Sequence, residues 1–210
     1  MSRKMDLGEI RKLLSPRRNF TCDLMLDEYQ RYAGKTDKSG LEDEAARDFF
    51  MMGLFGETGS LLSEVKKKQR DKRAYYAYRE SAIEELGDVL WYFANAARLL
   101  PFRLSEIARR VPELRGWGFK GTVYRPRTFT ALQKAGQTFG EPTSGRRVER
   151  RLIVLASKVG ALVDLARHPK TDRELIEVAM VEVLRALVAA ADIAHISLND
   201  AAISGLAKSL

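Results

Sequence analysis

The sequence predicts an all-α protein, and three observations predict it. Apolar positions recur with a helical rather than a strand period. The prolines Pro16, Pro101, Pro112, Pro126, Pro142 and Pro169 fall between the periodic segments. The order of segments in the first half returns, in degenerate form, in the second. The periodic segments place helices at about 22–34, 44–69, 75–100, 103–111, 128–138, 146–167, 172–196 and 198–208. Residues 112–127 (PELRGWGFKGTVYRPR) carry Gly, Pro and aromatic residues without a period and read as a linker.

The repeat is visible element by element. Tyr29-Gln30-Arg31 precedes a long helix containing Gly59-Ser60-Leu61-Leu62. Leu132-Gln133-Lys134 precedes a long helix containing Gly160-Ala161-Leu162-Val163, at a separation shorter by two residues. Each half then has a second long helix. A short motif follows it: Leu104-Ser105-Glu106-Ile107-Ala108 in the first half, Leu198-Asn199-Asp200-Ala201-Ala202 in the second. Residues 1–111 and 128–210 are therefore the two expected repeats.

The chain of 210 residues suits one domain, or two small ones that share a core. Its hydrophobic content of 45% and charged content of 30% are ordinary for a soluble globular protein. No apolar run approaches the ~20 residues of a membrane helix. The basic start MSRKMDLGEIRKLL has no apolar core and no small-residue cleavage site, so it does not read as a secretory signal. Cys22 is the only cysteine and cannot form an internal disulfide, which fits a reducing cytosol. A net charge of +8 can attract nucleic acid or phosphorylated ligands. The bases are scattered and no nucleic-acid motif accompanies them, so a solvated surface is the favoured reading. The run Arg146-Arg147-Val148-Glu149-Arg150-Arg151 at a helix start is read the same way, with a phosphate or partner site as the alternative.

Two acidic stretches carry the chemistry. The first is Gly53-Leu54-Phe55-Gly56-Glu57-Thr58-Gly59-Ser60-Leu61-Leu62-Ser63-Glu64-Val65-Lys66-Lys67-Lys68, the second Ile83-Glu84-Glu85-Leu86-Gly87-Asp88-Val89-Leu90-Trp91-Tyr92. Glu57 and Glu64 share a helix face two turns apart, and Glu85 and Asp88 are neighbours on another. The acids sit beside the apolar stripes formed by Leu54, Leu61, Leu62 and Val65 and by Leu86, Val89, Leu90 and Phe93. Two such helices packed antiparallel can gather the four carboxylates. Carboxylates that close repel unless a cation compensates. Oxygen-only ligands are the chemistry of Mg²⁺ or Mn²⁺. On spacing alone the opposite reading stands equally, with surface acids paired to Lys66, Lys67 and Arg79.

GLFGETGSLLSEVKKK followed by EELGDVLWYFANAARLL resembles the MazG-like nucleotide pyrophosphohydrolases, over about residues 22–110. That family carries an ExxE on one helix and an ExxD on the next. The resemblance puts Glu57 at the first acid of ExxE, and Glu85 and Asp88 at those of ExxD. The second acid of ExxE falls on Ser60, a departure. Either Glu64 takes its place, or the site holds fewer metals, or it is inactive; Glu64 is the favoured reading. The resemblance implies a MazG-like helical bundle. Here two tandem repeats would form it within one chain as a pseudo-dimer, with further homodimerisation open.

The implied activity is Mg²⁺-dependent cleavage of a nucleoside triphosphate between the α- and β-phosphates, giving a monophosphate and pyrophosphate. Mn²⁺ is the alternative metal. Glu57 or Glu64 is expected to take the water's proton. Lys66 and Lys67, with Lys68, are expected at the phosphates, or else as an exposed helix end. Asn95 is expected to read the nucleotide, or else to be a buried amide. Trp91 and Tyr92 are core or base-stacking residues, and His168 and His195 receive no role. The rival function is a nucleotide-binding or regulatory protein of the same fold that has lost turnover; a nucleic-acid role is weaker.

The second repeat is expected to lack a metal site. Lys158 stands where the first half has Glu57, anchored on Gly160 and Gly59. Glu85 and Asp88 align with Glu182 and Arg185 in one register and with Ala179 and Glu182 in another. In either register a base facing one leftover acid suits an internal ion pair rather than Mg²⁺.

Overall fold

The computed structural model of the chain describes residues 23–111, 125–138, 148–168 and 170–209. Among them are eight α-helices and no strand: α1 Leu26–Lys35, α2 Asp43–Asp71, α3 Tyr78–Leu99, α4 Leu104–Arg110, α5 Phe129–Thr138, α6 Val148–Ala166, α7 Arg173–Ile193 and α8 Leu198–Ser209. The protein is all-α. Cys22, residues 112–124 of the linker, and Arg146 and Arg147 lie outside the described residues.

Two helices are shorter than their sequence pattern. After α2, Lys72 adopts φ 50° and a short 3₁₀ turn, Lys72–Ala74, follows, so α3 starts only at Tyr78. A left-handed residue other than glycine ends a helix because its Cβ crowds the next carbonyl. His195, at φ 54°, likewise stops α7 at Ile193. The start of α7 is fixed by the Asp172 side chain, which accepts from the Glu174 N–H at 2.8 Å.

α2 lies along α3, and α6 along α7. α2 also packs on α6; α3 packs on α8 and α7 on α4; α1 packs on α3 and α5 on α7. Exchanging α1–α4 for α5–α8 leaves this set of principal contacts unchanged. The hydrogen bonds repeat as well. Gln30 donates to the Phe102 carbonyl at 2.8 Å and accepts from the Leu104 N–H at 3.1 Å. Gln133 donates to the Ile196 carbonyl and accepts from the Leu198 N–H, both at 2.9 Å. Phe102 N–H returns to Ala97 O at 2.8 Å, and Ile196 N–H to Ala191 O at 2.9 Å. Each glutamine thus satisfies the backbone groups that a helix start would leave bare.

One continuous apolar core joins both halves, from Leu26 and Tyr29 through Phe93 to Leu187 and Leu206. Between α3 and α8, Gly87 and Gly205 bring the two backbones together. No helix of the described residues is long and apolar enough to cross a membrane.

Candidate metal centre

Glu57 on α2 and Glu85 and Asp88 on α3 each offer a carboxylate oxygen, all within 4.8 Å of one another. Among the described residues this is the only group of three or more acids, histidines or cysteines so arranged. Two packed helices create it: a position beside the apolar stripe of each helix faces the partner at the edge of the seam. Gly53 helps. A β-carbon there would lie 2.0 Å from the Tyr92 ring, so only glycine lets that ring rest on α2.

The charge in this group is unevenly compensated. Lys208, from the last turn of α8, holds Asp88 at 2.6 Å and Glu84 at 2.8 Å. Glu57 and Glu85 have no ion-pair partner among the described residues. Burial, then the charges of Glu57 and Asp88, push the Glu85 carboxyl up to about 7, against a smaller pull from Lys208. Burial also keeps Asp88 above the usual carboxylate range despite its bond from Lys208. The hydroxyl of Tyr29 is buried without a hydrogen-bond partner, and after burial itself the charge of Asp88 is what raises its pKa. Three convergent, under-compensated carboxylates are a donor set for a hard divalent cation.

A cleft of about 480 Å³ opens beside the acids. Glu57, Asp88 and Lys208 line it, with Phe49, Trp91 and Tyr92 as an aromatic wall and the stretch from Thr36 to Ser39 as a polar rim. Trp91 donates its indole N–H to Thr36 Oγ1 at 2.8 Å, which ties that rim to α3.

The other sequence candidates are placed elsewhere. Glu64 does not join the acid group. Two helical turns from Glu57 are ~10 Å along the axis, and at that level Glu64 is 4% exposed, bound by Lys67 at 2.6 Å and by the Tyr75 hydroxyl. Burial alone would push its carboxyl up, but these two donors outweigh burial and hold it below the usual range. Lys67 is thereby engaged. Lys66 is exposed, and Lys68 donates to Tyr75 O at 3.3 Å. None of the three lines the cleft. Asn95 is fully buried, its amide bonded to Trp91 O at 3.2 Å and to Arg98 at 3.3 Å, and it stays behind the cleft wall. Lys208 was not visible in the sequence as a site residue, since nothing local to α8 marks it. Among the described residues the second half has no such acid group. Glu182 accepts from Lys158 at 3.1 Å and from Arg185 at 2.7 Å, which outweigh burial and keep its carboxyl low.

No protein-family model matches the chain, and no solved structure matches it significantly. The chain is 37% identical over 81 residues to the Gene 37 protein of Mycobacterium phage L5. The match spans 38% of this chain and 68% of that protein. On that identity and coverage, the chain belongs to the family of the Gene 37 protein of Mycobacterium phage L5.

Proposed function

We propose that the chain is a Mg²⁺-dependent nucleoside triphosphate pyrophosphohydrolase built from two tandem MazG-like repeats. The observation that carries this reading is the convergence of Glu57, Glu85 and Asp88 beside an aromatic-walled cleft. The tandem reading is supported by the paired Gln30 and Gln133 clamps and by the interchangeable helix contacts. The like turns at Phe102 and Ile196 support the register in which Asp88 matches Glu182 and Glu85 matches Ala179.

Glu57, Glu85 and Asp88 would hold the metal. Bound Mg²⁺, or Mn²⁺, supplies charge for the phosphate oxygens and acidifies water. Glu57, without a cation partner of its own, is placed to take a proton from an attacking water. Lys208 presents an ammonium to the same cleft and suits the triphosphate. Phe49, Trp91 and Tyr92 offer flat apolar surface to a base. Glu64, Lys67 and Asn95 are supporting residues in this scheme, because their polar groups are already engaged.

Pure protein incubated with a nucleotide panel and Mg²⁺ should release pyrophosphate. Release should stop with EDTA and in Glu85→Ala, and persist in Glu182→Ala. Release that survives both EDTA and Glu85→Ala would refute the reading. A second reading, nucleotide binding without turnover, is favoured by Ser60 at the position of a family acid and by Lys208 already seated on Asp88. Its signature is saturable nucleotide binding with no pyrophosphate from any member of the panel.

A further inference from the structure

A second cleft, of about 360 Å³, is built from other elements: α4, the stretch before α5 and the first turns of α7. It shares no residue with the acidic cleft. Four arginines line it, Arg109, Arg125, Arg127 and Arg173. Arg173 is held in place. It donates to Pro101 O at 3.1 Å, and its guanidinium carbon lies 4.5 Å over the Phe102 ring. The side chains of Arg109, Arg125 and Arg127 have no hydrogen bond or ion pair among the described residues. Two carboxylates share the wall, and one of them, Glu177, is already bound by Arg110 at 2.7 Å.

Gathering four arginines around one hollow in which Glu106 is the one carboxylate left unbound among the described residues is unfavourable unless a further anion compensates. Guanidinium forks match phosphoryl oxygens two at a time. The volume falls in the range of small-molecule sites, ~300–1,000 Å³. We propose that this cleft binds a small polyphosphate-bearing molecule, recognised through its phosphoryl groups. A nucleic-acid strand fits less well. Strands bind along charged tracks with aromatic platforms, whereas here Phe102 is buried beneath Arg173. The proposal does not depend on the acidic site.

The test is calorimetric titration of the full chain with sodium tripolyphosphate in EDTA, which removes metal-dependent binding. One-to-one saturable binding is expected. It should weaken by about tenfold or more in the double variant Arg109→Ser, Arg127→Ser. Both side chains are exposed and make no hydrogen bond or ion pair among the described residues, so the circular dichroism of this variant should be unchanged. The charge-matched variant Arg150→Ser, Arg151→Ser should bind as the parent does. Absence of saturable binding, or an equal loss in both double variants, overturns the proposal. So does a short single-stranded DNA that binds more tightly than tripolyphosphate and is lost with Arg109 and Arg127.

Discussion

Replacing Gly87 with alanine tests the fold at the point where it meets the acid group. Gly87 lies between Glu85 and Asp88 on α3. A β-carbon there would sit 2.4 Å from the Ala201 carbonyl oxygen and 2.8 Å from the Gly205 nitrogen. Both are backbone atoms of α8, so no rotamer change relieves the clash and the helix itself must move. Overpacking costs ~1–3 kcal/mol, and a backbone clash belongs at the upper end. Removing a glycine from a helix returns ~1 kcal/mol. The net loss is therefore about 2 kcal/mol, which in a chain of this size lowers Tm by about 4–8 °C. Gly56 and Gly59 on α2 provide the opposite sign, because a β-carbon at either meets nothing within 4 Å. Gly56→Ala and Gly59→Ala should each gain up to about 1 kcal/mol. Scanning calorimetry in EDTA measures all three. If Gly87→Ala melts at or above the parent temperature, α3 and α8 do not make this backbone contact and Lys208 has no fixed place beside Asp88.

Three further outcomes follow from the charges. Glu85 has its folded pKa raised to about 7 from an ordinary 4.5. The contribution of its protonated form to stability is thus complete below about pH 4.5 and is lost as pH rises through 7; melting in EDTA should fall over that window, and Mg²⁺ should restore it above pH 7. A flat profile, or the same slope in Glu85→Gln, refutes this assignment. Glu64→Gln should cost about 1–3 kcal/mol through its bonds to Lys67 and Tyr75, yet leave Mg²⁺ affinity by calorimetry near that of the parent, whereas Glu85→Gln should abolish it. Lys208→Met removes the cation from Asp88 and Glu84; without metal it should melt lower, and its Mg²⁺ affinity should rise, because no tethered ammonium competes. Weaker Mg²⁺ binding in that variant would show that Lys208 does not compete with the metal.

Much of the architecture was legible because helical period is a local property. All eight segments became helices, and the errors fell at ends decided by single residues such as Lys72 and His195, whose left-handed conformations leave no trace in hydropathy. Spacing beside the apolar stripes put the acids on α2 and α3 within reach of one another, but left surface ion pairs as an equal reading. Ser60 drew attention to Glu64 as a substitute. Shared helix phase does not set height along the axis, and Glu64 lies at the level of Tyr75 rather than Asp88. Asn95 and Lys67 were left with two readings for a related reason: a sequence names a polar group but not the partner that engages it. Lys208 comes from a helix far along the chain, so its meeting with Asp88 is tertiary information alone.

On the proposed tandem reading, the two halves place opposite chemistry at corresponding positions. Glu182 is compensated from within its own half by Lys158 and Arg185. Asp88 is compensated only by Lys208, which α8 brings from the other half, and Glu57 and Glu85 are not paired at all among the described residues. Glu182 is thus already neutralised, and Glu57 and Glu85 are not. On the proposed reading a divalent cation completes the first half and has nothing to complete in the second. The second half then does more than hold the bundle together. Because α8 packs on α3 through Gly87 and Gly205, it delivers the ammonium that binds Asp88 in the acidic cleft, and the geometry of that cleft depends on a contact between halves.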